Sequence, residues 1–239
     1  MDFGLVLRTP QNYRRDQQKG CGMTGILAIW NDCEPSGEEH YERWYQREHL
    51  AERVGVPGFR FGRRYEAVCG DRRFFSYYEV DDAAVLTSPA YVARLEQPTA
   101  WTVEAMASFR NMCRTVCELT CSAGDMVGSH ALTLRVDGNF AASPRAEGFV
   151  RSLAESSGVA RVQLWIASAQ QTRTDTEEMR RRVGADASIG GALVVECLRR
   201  ADAERIGKQI ETRAPHILAA SQSTLGLYAL LCVYDKRTQ

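Results

Sequence analysis

The chain has 239 residues, of which 44% are hydrophobic and 25% charged. That is the make-up of a folded protein and excludes a disordered or low-complexity one. Lys and Arg number 30, as do Asp and Glu, so the formal net charge is zero. The basic field that would draw the whole protein to nucleic acid or to a membrane surface is absent. No apolar run approaches the ~18 residues of a membrane-spanning helix. The opening Met-Asp-Phe-Gly-Leu-Val-Leu-Arg is too short in its apolar part, and too acidic at position 2, for a signal peptide. A cytoplasmic protein is expected, with its eight cysteines as thiols. None forms a C-x-x-C pair, so no metal site is expected. Cys113, Cys117 and Cys121 are spaced by four and should line one face of a strand as small buried side chains.

Residues 1–22 are polar and aperiodic and read as a tail, with Met23 the expected true start. Gly25 to Asn31 is apolar enough for a buried strand. Ser36-Gly37-Glu38-Glu39 has the form of a capping box and opens a helix to about Val54, which Gly55-Val56-Pro57-Gly58 ends. Phe59 to Val68 is a second strand, with Phe59, Phe61, Arg63, Tyr65 and Ala67 on one face. After the Gly70-Asp71 turn, Arg73 to Val80 is a third strand, aromatic on both faces. Ser88-Pro89 caps a further helix. Pro98 restarts one whose stripe is Trp101, Ala105 and Phe109, and Met112 to Thr120 is a fourth strand. This is βαββαβ, the order of a ferredoxin-like unit.

Beyond a linker at Ala123 to Ser129 the order recurs: a strand from His130 to Val136, a helix after Ser143-Pro144, strands at Val159–Ala169 and Ile189–Leu198, a helix from Asp202 to Arg213, and a strand at Leu225–Tyr234. The organisation expected is thus one ferredoxin-like repeat over 23–122 and a second over 130–239. Gln170 to Ala187 is charged, and Arg180-Arg181-Arg182 within it reads as a solvated face. A ferredoxin-like unit leaves one sheet face bare, and two units in one chain can cover each other sheet to sheet. The expected fold is α+β: an intramolecular barrel of eight strands with helices outside. Both faces of the third strand are then buried, as its aromatic residues require.

Chemistry concentrates on the first helix. Tyr41, Trp44 and Tyr45 define its sheet-facing stripe on a regular helical wheel, Glu48 and Glu52 fall within that stripe, His49 at its edge and Leu50 opposite. Buried carboxylates need partners or a wet cavity. Arg60, Arg63 and Arg64, beside Tyr65 on the second strand, are available, and Asp32 ends the first strand at the same end of the sheet. One reading is a cavity walled by Tyr41, Trp44 and Tyr45, with His49 and Glu48 as an acid–base pair. The other is a Glu48–Arg64 brace with no catalytic role. His40, His130 and His216 lack partners at ligand spacing. The absence of a glycine-rich phosphate loop, a nucleophile elbow and H-E-x-x-H leaves no cofactor or metal to expect.

Trp30-Asn31-Asp32, Trp44-Tyr45 with Glu48-His49 and Glu52-Arg53, and Pro57-Gly58-Phe59 with Arg63-Arg64-Tyr65 resemble the dimeric α/β-barrel superfamily, in particular its EthD-like and uncharacterised members. Ser88-Pro89-Ala90-Tyr91 and Pro98-Thr99 with Trp101-Thr102 fit the same pattern. The resemblance covers residues 23–122; the second half matches only in element order. It implies a cofactor-independent enzyme of the kind that includes polyketide cyclases, lactone isomerases and quinone-forming monooxygenases, holding an aromatic or lactone ligand between helices and sheet. A histidine for proton transfer is part of that implication, and His49 is where it fits. The helix after Ser143 has no Trp, His or Glu-His pair, so the site is expected in the first half alone. The expected machinery is His49 as base, Glu48 as its carboxylate and Arg64 with Tyr65 as polarisers, with Tyr41, Trp44, Tyr45 and Asp32 around the ligand. The alternative is a non-catalytic ligand-binding or structural barrel. A small-molecule ligand and a homo-oligomer are the expected partners.

Overall fold

A computed structural model describes residues 23–168, 176–182, 184–218 and 222–236. The expected N-terminal tail lies outside these residues, as does part of the charged segment 170–187. Eight antiparallel strands close into a barrel: β1 (Gly25–Cys33), β2 (Phe59–Cys69), β3 (Phe74–Val80), β4 (Phe109–Ala123), β5 (His130–Val136), β6 (Val159–Ala167), β7 (Gly191–Cys197) and β8 (Ser223–Asp235). Their order around it is β1-β3-β2-β8-β5-β7-β6-β4. The two seams between the halves are β2 against β8 and β4 against β6. Among the described residues, closure leaves no edge strand unpaired.

Helices cover the outside. The first, α1, runs Glu38–Trp44, widens over Tyr45–His49 and continues as Leu50–Gly55. Then come α2 (Pro89–Glu96), α3 (Ala100–Met106), α4 (Pro144–Ala154), the short α5 (Glu177–Arg180) and α6 (Arg200–Leu218). Ser88 and Ser143 cap α2 and α4 through their hydroxyls, as their sequence context predicts. The capping box at Ser36 does not form. Pro35–Gly37 is instead a 3-10 turn, and α1 begins after Gly37 with no side-chain cap. Phe109 belongs to β4 rather than to the α3 stripe, which ends at Met106.

Strand alternation divides the core into three layers. Leu27, Ile29, Phe74, Tyr78 and Val116 face α1–α3. Ile26, Ala28, Trp30, Tyr65, Phe75, Tyr77 and Trp165 fill the barrel. Leu132, Leu164, Leu193 and Val195 face α4 and α6. The aromatic residues of β3 are therefore buried on both faces, as expected. Two bulges change the expected faces. One between Phe59 and Phe61 sends Phe59 to the helix side. Another between Leu119 and Cys121 turns Cys121 outward, while Cys113 and Cys117 stay inside. A polar cluster inside the barrel centres on Glu196. Glu196 accepts from Arg63 at 2.6 and 2.7 Å, from Arg161 at 2.7 Å, from the Tyr77 hydroxyl at 3.0 Å and from the Gly128 amide at 3.0 Å. Trp30 Nε1 donates to Thr133 Oγ1 across the lumen at 3.2 Å.

Candidate active site

The site begins with the phase of α1. On regular spacing Glu48 and Glu52 share the stripe of Tyr41 and Tyr45, and Leu50 points away. The turn at Tyr45–His49 is a π turn. It holds one residue more than an α turn and so rotates the rest of the helix by about 100°. The buried positions become Tyr41, Trp44, Tyr45, His49, Leu50, Arg53 and Val54. His49 and Leu50 each keep only 5% of their surface exposed. Glu48 and Glu52 move to the rim, half-buried. The prediction that both carboxylates lie beneath the helix, with Leu50 outside, is thus corrected by one inserted residue.

His49 is enclosed by rings: Trp44 at 4.1 Å between centroids, Tyr45 edge-on at 4.9 Å and Tyr78 edge-on at 6.3 Å. Its Nδ1 is buried with no hydrogen-bond partner among the described residues, and so is the Tyr78 hydroxyl. Burial, reinforced by the positive charges of Arg53, Arg182 and Arg64, holds the imidazole well below its usual pKa, so it is neutral at physiological pH. Burial likewise holds the Tyr78 hydroxyl protonated. Gly62 makes room for that tyrosine, since a Cβ there would sit 2.7 Å from its ring.

Between α1, α2 and the sheet, a cavity of about 30 Å³ touches His49, Tyr45, Tyr78, Tyr91, Arg53 and Arg114. That is space for about one water molecule. Segment 176–182, from the second half, covers it with Glu178 and Arg182. Glu178 accepts from Arg53 at 2.7 Å, both side chains 3% exposed. Arg182 pairs with Asp186 at 2.5 Å and is itself buried. The expectation of a solvated arginine triplet therefore holds for Arg180 and Arg181 and fails at Arg182. Burial pulls the Arg182 guanidinium below its usual range; Asp186 opposes this and the charge of Arg114 adds to it. Arg114, on β4, is 5% exposed and donates to the Tyr91 hydroxyl at 3.1 Å. It has no acidic partner among the described residues.

The other expected site residues are dispersed. Glu48 accepts from Thr99 Oγ1 at 2.6 Å and Thr102 Oγ1 at 3.1 Å, and Trp44 Nε1 donates to the same Thr102 oxygen at 3.1 Å. Glu48 thus steadies the ring on which His49 lies. The expected Glu48–Arg64 brace is replaced by a two-pronged Arg64–Glu42 pair at 2.6 and 2.7 Å. Arg64 packs its guanidinium 4.1 Å from the Tyr45 ring and 5.1 Å from that of Tyr41. Tyr65 points the other way, into the barrel, stacked on Phe75. Asp32 accepts from the Arg73 amide at 2.7 Å and from Asn111 at 2.7 Å, away from the cavity. Tyr41 donates to Asn31 within the core. Sequence reasoning missed Arg53, Tyr78, Tyr91, Arg114 and Glu178. Arg114 carried a readable signal: it interrupts the apolar alternation Met112, Val116 on a strand buried on both faces. The helix–sheet layer of the second half is packed with apolar side chains.

No protein-family model matches the chain, and no curated protein does. The EthD-like resemblance therefore rests on the sequence motifs alone. Solved structures do match in shape. An anthrone oxidase-like protein superposes with a TM-score of 0.57 at 10% identity, over 89% of this chain and 93% of its own. A candidate monooxygenase from Fusobacterium nucleatum gives 0.57 at 10% identity, over 91% and 96%. Another from Lactobacillus acidophilus gives 0.53 at 6%, over 90% and 97%. At such identities the likeness establishes the fold: a closed α+β barrel of the ferredoxin-like dimeric α/β-barrel type.

Proposed function

We propose that the protein is a small-molecule enzyme that catalyses proton transfer in the pocket between α1 and the sheet, with His49 as the base. The observation that carries this reading is the neutral, fully enclosed imidazole, whose Nδ1 is left without a partner beside a cavity. Buried polar atoms are nearly always paired. A neutral imidazole in an apolar pocket is able to take a proton from an acidic C–H or O–H of a ligand and return it elsewhere on the same molecule. Isomerisation and ring closure require no more; oxygenation would consume dioxygen as co-reactant. The rings of Tyr45, Tyr78 and Tyr91 on the cavity wall suit an aromatic, lactone or polyketide-like ligand, and the protonated Tyr78 hydroxyl would donate to its oxygen. The oxidase-like and monooxygenase-like neighbours are compatible with this class. Glu48, through Thr102 and Trp44, and Arg64, through Tyr45, are positioning residues.

The experiment is solvent deuterium exchange, followed by NMR, on a panel of lactones, 1,3-diketones and anthrone-type phenols. The protein should accelerate exchange of at least one class. His49→Gln should slow it by about 100-fold or more, the range of a lost general base. No acceleration anywhere in the panel, or full exchange by His49→Gln, overturns the assignment.

A further inference from the structure

The charge around this pocket does not balance. Arg53, Arg114 and Arg182 bring three buried cations to its wall, and the acids paired with them are Glu178 and Asp186. Arg114 is the surplus: buried, bonded to the Tyr91 hydroxyl, and without a carboxylate among the described residues. Arg53 also leaves its Nη1 buried and unpartnered while Nη2 holds Glu178. A buried guanidinium without a counter-charge is costly, so its retention in a cavity wall calls for a negative group that arrives from outside.

Glu178 indicates where that group goes. It belongs to a short segment whose buried residues are Thr176 and Glu178, both polar. Little apolar surface therefore ties the segment to the pocket. The ion pairs that tie it to the rest of the molecule are Glu178 on Arg53 and Arg180 against Glu96, whereas Arg182 pairs with Asp186 four residues along the same stretch. A carboxylate that took the place of Glu178 between Arg53 and Arg114 would keep Arg53 compensated and share its charge with Arg114, which now has none. Exchange of one carboxylate for another is accordingly much less costly than opening the pocket empty.

We propose that the ligand of this pocket is an organic anion, an aromatic carboxylate or equivalent oxyanion, held by Arg53 and Arg114 in the place that Glu178 now fills. This rests on the pocket being the substrate site and adds the chemical class of the substrate. The displaced segment yields the volume that the 30 Å³ cavity lacks for an aromatic ring.

Thermal melts and calorimetry with benzoate and 2-naphthoate, each against its neutral carboxamide at matched ionic strength, test it on the full chain. The carboxylates should raise the melting temperature of the wild-type protein and the carboxamides should not. Glu178→Gln, which removes the resident competitor, should tighten carboxylate binding about tenfold. Arg114→Gln should weaken it by at least as much, and neither change should create carboxamide binding. Equal responses to acids and amides, no response to either acid, or carboxylate affinity indifferent to both substitutions would overturn the proposal. His49→Gln keeps the two readings apart: it should retain carboxylate binding, because His49 contributes no charge. Anion binding with no proton exchange in any variant sinks the catalytic reading alone, whereas exchange of neutral substrates without anion selectivity sinks this one alone.

Discussion

His49 is buried where a charged imidazole would be costly, and that cost makes the fold sensitive to acid. In the unfolded chain the imidazole titrates near pH 6.5; in the fold, burial first and then Arg53, Arg182 and Arg64 keep its pKa well below that. Between the two values the unfolded chain binds a proton that the folded chain does not. Stability is therefore full above about pH 6.5 and falls as pH drops toward the folded value, by up to about 1.4 kcal/mol per pH unit. His130, whose pKa is also lowered by burial, adds to the same slope. Urea melts at pH 7 and pH 5 should show a smaller acid loss in His49→Gln than in the wild type, with the His130 share common to both. Equal losses would mean that His49 accepts its proton inside the fold. His49 was legible as the candidate base because a histidine beside an aromatic stripe is a short-range pattern. Its partners were not: whether Arg64 meets Glu42 or Glu48 is decided by strand phase and helix rotation, which local sequence does not encode.

The π turn in α1 explains most of what a helical wheel places wrongly. A run of Tyr, Gln, Arg, Glu and His carries no propensity signal for a widened turn, and the wheel assumes a constant 100° step. The turn acts as a one-residue insertion that leaves the faces before and after it correct relative to the sheet. Deleting the exposed Gln46 should heal it into regular α-helix with Tyr45, His49, Leu50 and Arg53 still inward. The expected change is within about 1 kcal/mol, or about 2–4 °C in melting temperature. Deleting the equally exposed Ala51, in regular helix, instead swings Arg53 and Val54 out of the core and strands Glu178. That should cost about 3 kcal/mol or more. Matched melting curves for the two deletions check the argument. The strands were easier to read, since aromatic residues on both faces of β3 demanded cover on both sides. Their bulges were not readable, because a bulge answers to the neighbouring strand's register.

At the scale of the molecule, the closure of the barrel followed from one requirement: each half has a sheet face too apolar to expose. What the sequence did not reveal is the polar knot inside. Glu196 of β7 joins Arg161 of its own half to Arg63 and Tyr77 of the other. Glu196→Gln leaves two buried guanidinium groups without a counter-charge and should cost about 3–5 kcal/mol in urea melts. Replacing Arg63, Arg161 and Glu196 together by apolar residues of similar volume should recover most of that, since an ion cluster removed whole strands no charge.

The two seams, β2 with β8 and β4 with β6, have a practical corollary. They are continuous backbone ladders between halves that a short stretch near Gly124 and Gly128 joins covalently. Cut there, each fragment would carry two naked strand edges and a sticky aromatic sheet, and would aggregate when expressed by itself. Co-produced, the fragments should find each other and purify as a one-to-one complex, so the chain is a natural starting point for a split-protein reporter.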